Sequence, residues 1–206
     1  MSAREDALAR ARAAALAELR AVPAPPSWRA QAARVAVGFA GTGLVAIIVA
    51  RVAALADGAW IAGHWPQLAG LMVLASLAAV AAIAPDRRGA RATALVAGPA
   101  LMAALVLARG AGAPSSTPEW VCSASHVGVG LLPLSFALWG LRQAAWRWSR
   151  ALVAGIGAGT AGALLGELAC HRGAGHVLVH HIGAWLIVVT GVVILSRRLR
   201  PRTFAP

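Results

Sequence analysis

Apolar residues in this chain come in long unbroken blocks, separated by short polar joints. The blocks run Val35–Leu55, Pro66–Ala84, Ala92–Ala108, Val121–Leu141, Ala151–Cys170 and His176–Ser196. Neither strand alternation nor a one-sided helical stripe accounts for runs of this length. A helix crossing a bilayer takes about 20 mainly apolar residues. In hydrocarbon a helix meets its own backbone hydrogen-bonding needs, so each block predicts a spanning helix. The predicted fold is all-α, a six-helix integral membrane bundle. Pro99 in the third block and Pro133 in the fourth predict kinks.

The fifth block is rich in glycine. Gly157, Gly159 and Gly162 spell G-x-G-x-x-G. A dinucleotide loop needs a strand before that motif and a helix start after it, and here it lies inside an apolar run. Gly155 with Gly159, and Gly162 with Gly166, are four apart, a spacing that lets helix backbones approach closely in lipid. The fifth span is therefore expected at the centre of the bundle.

Residues 1–34 form a polar leader. Its Ala, Leu, Glu and Arg content predicts a helix from Glu5 to Arg20. Leu8, Ala11, Ala15 and Leu19, with Leu16 beside them, give it a modest apolar stripe. Pro23, Pro25 and Pro26 end it. The first apolar block starts too far from Met1 for an ordinary cleavable signal, so the first span reads as a retained anchor. The predicted organisation is a cytoplasmic leader at 1–34, a membrane domain at 35–196 and a basic cytoplasmic tail at 197–206.

Composition agrees. The chain is 59% hydrophobic, where a soluble domain is about 45–50% apolar. Its net charge of +12 comes from 19 arginines and no lysine. Such a balance can mean nucleic acid, but the arginines flank the apolar blocks. Arg4, Arg10, Arg12, Arg20, Arg29 and Arg34 fill the leader; Arg87, Arg88 and Arg91 the second joint; Arg142, Arg147 and Arg150 the fourth; Arg197, Arg198, Arg200 and Arg202 the tail. Arg51, Arg109 and Arg172 fall on the other side. Positive residues collect in cytoplasmic loops, which puts both termini in the cytoplasm of a bacterial inner membrane. The tail suits anionic membrane lipid. Neither direct nucleic-acid binding nor a small-molecule substrate is expected.

This layout gathers the chemistry-bearing residues on the outer side. Cys122, His126, Cys170, His171, His176, His180 and His181 fall at outer helix ends, and His64 in an outer loop. Cys122 with His126, and His176 with His180, are i, i+4 pairs able to share one metal ion. Thiolate and imidazole suit zinc, copper or haem iron. The metal candidates are His126, His171, His176 and His180 with Cys122 and Cys170. The two cysteines are equally a candidate redox or disulfide pair, and buried cysteine also serves as a small hydrophobe. Glu167 is an ionisable residue within a span, which marks a functional candidate with a partner. Cys170 and His171 follow it at i+3 and i+4, and Arg172 or a histidine is its expected partner.

The chain also resembles membrane-bound anti-sigma factors of the NrsF type (negative regulators of sigma F), and in size and span number the CarR type of light-responsive bacterial anti-sigma factor. The resemblance rests on Asp-Ala-Leu-Ala at 6–9, Leu-Ala-Glu-Leu-Arg at 16–20 and Pro25-Pro26. It continues with Cys122 opening the fourth span, Leu132-Pro133-Leu134, Leu-Arg at 141–142, and a Gly/Ala-rich fifth span ending in Cys170. It implies a leader that holds an extracytoplasmic-function sigma factor at the membrane, through Leu8, Arg12, Leu16, Leu19 and Arg20. It also implies sensing roles for Cys122 and Cys170, with no catalytic residues. Where that family has a Cys-Pro-Glu-like run, this chain reads Cys170-His171-Arg172-Gly173, so a different signal is expected. The alternatives are a membrane redox or haem/metal protein and a small transporter.

Overall fold

The computed structural model describes residues 3–21, 27–53, 55–112, 118–142, 144 and 146–199. Among them lie nine α-helical stretches: α1 (Ala3–Ala21), α2 (Trp28–Val52), α3 (Gly58–Gly63), α4 (Trp65–Ile83), α5 (Arg88–Ala108), α6 (Glu119–Leu141), α7 (Trp148–Ala169), α8 (Ala174–His176) and α9 (Gly183–Ser196). A π-helical segment, Val177–Ile182, joins α8 to α9 without a break. Six helices are long and apolar enough to cross a membrane: α2, α4, α5, α6, α7 and the continuous stretch Ala174–Ser196. They coincide with the six apolar blocks, and the chain is an all-α, six-span membrane bundle.

The largest boundary difference lies at the first span. Its helix starts at Trp28, seven residues before the apolar block. Ser27 caps it by accepting from the Ala30 amide at 3.3 Å, which satisfies one of the four orphan donors of the first turn. Gln31 and Ala32 are buried, so this polar turn packs into the bundle although its composition does not announce a span. Helices α5 and α6 run through Pro99 and Pro133.

The bundle is built around α7, which packs against α2, α4, α5, α6 and α9. Nearly every residue from Arg150 to Leu168 is buried. Small residues make this possible. A Cβ on Gly155 would lie 2.8 Å from the Val189 carbonyl oxygen, one on Gly157 2.8 Å from the Phe39 ring, and one on Gly162 3.0 Å from Gly130 Cα. The close-approach spacing read from the sequence is the packing surface of the central helix.

Arginines stabilise the end of the bundle that carries the start of α2. Arg91 and Arg150 are both buried. Arg91 donates to the carbonyls of Ala81 at 3.2 Å and Ala84 at 3.0 Å. Arg150 donates to Ala84 at 3.4 Å and Pro85 at 3.3 Å. The last carbonyls of a helix lack internal partners and carry partial negative charge. Two cations from α5 and α7 therefore cap the end of α4.

Gly155→Ala is expected to destabilise the bundle by about 1–3 kcal/mol, because the added methyl meets backbone that cannot rotate aside. Gly89→Ala, on the first turn of α5 with nothing within 4 Å, is expected to be neutral or stabilising by up to about 1 kcal/mol. Thermal unfolding of the two variants in detergent micelles checks the contrast.

Candidate functional site

At the opposite end, α5, α6, α7 and the sixth span bring their polar residues together. Helix α7 stops at Ala169, and Cys170 is extended, with φ −110° and ψ 116°. The chain then crosses Gly112, which pairs with Arg172 in an isolated antiparallel bridge. Gly112 has φ 76°, and a Cβ there would strike the Gly173 backbone, so glycine is required. The Ala174 amide donates to the Gly110 carbonyl at 3.3 Å. The loop after α5 is thus tied to the joint between the last two spans.

Arg109, just beyond α5, clamps the end of α7. One guanidinium nitrogen donates to the Cys170 carbonyl at 2.5 Å and another to Glu167 Oε2 at 2.7 Å. Glu167 is almost fully buried, and Arg109 exposes 11% of its side chain. Of the partners expected for Glu167, a histidine is present, His181 with Nδ1 4.0 Å from Oε1, whereas Arg172 pairs with Glu119 at 3.0 Å. The physical reason is the break at Cys170, which carries Arg172 away from α7 and over the start of α6. The same break separates His171 from the face that holds Glu167. His171 lies against Trp60, ring centroids 4.1 Å apart, and Trp60 stacks on His64 at 3.8 Å.

Cys122, Cys170, His176 and His181 converge, each offering a donor atom within 4.8 Å of the others. Both cysteines are free. His180 joins a second group with Glu119 and His176. Its Nε2 lies 3.1 Å from Glu119 Oε2, and its Nδ1 lies 3.0 Å from the Ser123 hydroxyl. His126 sits deeper, fully buried, with its ring 5.7 Å from that of His181. Of the residues expected to share a metal, the structure therefore joins Cys122, Cys170 and His176. It sets His180 beside them, His126 beneath, and His171 apart.

Sequence reasoning missed His181 as a ligand, Glu119 and the role of Arg109. An α-helix would swing residue 181 away from residue 176. Across Val177–Ile182 the π geometry bonds i to i+5, so His181 falls one turn after His176, on the same side. Glu119 gave a signal, since it lies one turn before Cys122. Arg109 resembled an ordinary flanking arginine.

Two thiols and two imidazoles are the donor set of a closed four-ligand zinc site and suit other thiophilic ions. Both ring nitrogens of His176 and Nε2 of His181 are buried without a hydrogen-bond partner. Such groups are costly in a protein interior unless something satisfies them, and a metal ion takes up that type of donor.

Glu167→Ala would leave the Arg109 cation facing a buried site without its counter-charge. Breaking a buried pair on one side costs about 3–5 kcal/mol. The double variant Glu167→Ala/Arg109→Ala is expected to recover part of that loss, read as unfolding midpoints in a double-mutant cycle.

No family model matches this chain, and no solved structure matches it. It is similar to the carotenogenesis protein CarR of Myxococcus xanthus, with 41% identity over 201 residues, covering 97% of this chain and 91% of the relative. Likeness at that level over nearly the whole length shows that the chain belongs to the family of the carotenogenesis protein CarR.

Proposed function

We propose that this chain is a membrane-anchored anti-sigma factor of the bacterial inner membrane. Its N-terminal segment sequesters an extracytoplasmic-function sigma factor and lets go when the outer Cys/His cluster changes state. The observation that carries this reading is the likeness to CarR along 97% of the chain, which takes in the leader as well as the spans. It joins the resemblance to anti-sigma factors of the CarR and NrsF types. Concentration of arginine in the leader, the even-numbered joints and the tail supports an orientation with both termini cytoplasmic.

Helix α1 suits the partner-binding role. Described side chains from Glu5 to Glu18 are exposed, apart from a half-buried Asp6. Leu8 and Leu16 are 63% and 46% exposed, and Arg12 lies between them at i, i+4 from each, on one face. The Leu19 and Arg20 side chains lie outside the described residues. A helix this short is marginal alone, so docking on a partner would stabilise it while covering its leucines.

Release needs two arrangements of the bundle that differ in affinity for the partner. Helix α7 ends at the cluster and packs against each of the other spans. Cys170 and Glu167 are held by Arg109 at one end, and Gly157 lies against Phe39 of α2 further along. A ligand or bond that repositions Cys170 would act on α2, which follows the leader in the chain. Three imidazole nitrogens buried without a hydrogen-bond partner beside the thiols, two on His176 and one on His181, favour a thiophilic metal ion as the signal over oxidation of the thiol pair alone.

Co-purification from membranes, followed by mass spectrometry of bound proteins, tests the reading. The intact chain is expected to recover a sigma factor, and a chain lacking residues 2–26 to recover none. Leu8→Glu and Leu16→Glu are each expected to weaken binding at least about tenfold, since burying a leucine is worth about 1.5–3 kcal/mol. Equal recovery with and without the leader would refute the proposal.

A further inference from the structure

The two groups of metal-ligating residues share one member, His176, and differ sharply in exposure. Side-chain exposure falls from 60% at Glu119 to 20% at His180, 6% at His176 and 4% at His181. The rings follow one another inwards. His180 stacks on His176 with centroids 4.6 Å apart, and His176 meets His181 edge-on at 5.6 Å. The donors change along the same path, from a carboxylate with imidazoles to two thiols with imidazoles. Carboxylate and imidazole accept an ion that still carries water, whereas thiolates hold a dehydrated soft ion more tightly.

We propose that Glu119, His176 and His180 form a capture site that takes up a divalent transition-metal ion and passes it, through His176, to the deeper-lying group of Cys122, Cys170, His176 and His181. This rests on the metal reading of the inner cluster. His176 is the residue suited to the transfer. It is common to both groups, and both its ring nitrogens are buried without a hydrogen-bond partner. The step is a ligand exchange. Bonds from the ion to Glu119 oxygen, His180 nitrogen and its remaining water break, and bonds to the two sulfurs and His181 form. The two thiol protons leave to solvent, and nothing is oxidised or reduced.

Two neighbours support the capture role. The Ser123 hydroxyl lies 3.0 Å from His180 Nδ1 and 3.2 Å from the His180 carbonyl oxygen. When Nε2 bears a proton and faces Glu119, Ser123 donates to Nδ1. When Nε2 instead binds an ion, Nδ1–H donates to Ser123, whose own proton turns to the carbonyl. Both tautomers are therefore satisfied, as expected of a residue that orients a metal-binding histidine. Arg172 holds Glu119 at 3.0 Å and competes with an arriving cation, so that the ion's departure inwards restores the Arg172–Glu119 pair.

Cobalt(II) added to the full-length metal-free protein in nanodiscs tests this. The wild type is expected to develop a thiolate-to-cobalt charge-transfer band. Glu119→Gln and His180→Gln should slow its appearance about tenfold while shifting equilibrium affinity, measured against a chelator, by less than about threefold, because a carboxylate at the mouth acts chiefly on arrival. The variant Cys122→Ser/Cys170→Ser should lose the band yet keep weak cobalt binding that disappears when Glu119→Gln is added. Equal loading rates in wild type and Glu119→Gln would overturn the capture site. An affinity loss matching the rate loss would also overturn it, by making Glu119 and His180 ligands of the final ion. Absence of the charge-transfer band in the wild type would refute the inner metal site itself. Weak, Glu119-dependent binding in the cysteine variant reads the outer group independently of that result.

Discussion

Helices inside a bilayer gain little from burying apolar side chains against one another, since lipid is as apolar as the side chains themselves. Cohesion must come from close packing and from a few polar contacts. Helix α7 carries most of that burden here. Its glycines let α4, α6 and α9 approach to backbone distance, at Ala75, Gly130 and Val189 respectively, and seat the Phe39 ring of α2. Without that contact surface the Cys170-side ends of three spans would have no reason to meet.

The Cys/His cluster follows from the same surface. Gly162 against Gly130 draws α6 onto α7, which places Cys122 near Cys170. One turn further along, a Cβ on Gly166 would lie 2.9 Å from His181 Nδ1 and 3.3 Å from His126 Nδ1. A side chain there would expel the imidazoles. The glycine that permits packing thus also makes room for the donors, and the chemistry of the site is inseparable from the architecture of the central helix.

Much of this was legible beforehand. The six spans were, because hydrocarbon leaves a chain few alternatives to a long apolar helix. So was the central position of α7, from glycines four apart. The lateral convergence of the cluster was legible only in part: short joints brought Cys122, Cys170 and His176 to one end, but side-chain direction depended on backbone details. The break after Ala169 sent His171 to Trp60 and Arg172 to Glu119. The π segment exchanged His180 for His181 at the inner position. Neither departs from ordinary helical composition, so periodicity could not reveal them. At α2 the polar turn around Gln31 hid a helix that begins before its apolar block.

The three arginines that fall outside the basic end sharpen the electrostatic picture. Each has a local partner: Arg51 donates to the Ala56 carbonyl at 3.2 Å, Arg109 holds Glu167, and Arg172 holds Glu119. Their charges serve specific contacts rather than orientation. At the other end Arg91 and Arg150 close the carbonyls of α4. Helix α7 is therefore fixed by guanidinium groups at both ends, through backbone carbonyls at one and through a carboxylate and the Cys170 carbonyl at the other. Among the described residues, the clustered thiols and imidazoles that a metal ion or a thiol reaction could capture lie at the Cys170 end. A signal entering there meets a helix that touches every other span, and a change in its seating would be felt across the whole bundle rather than absorbed locally.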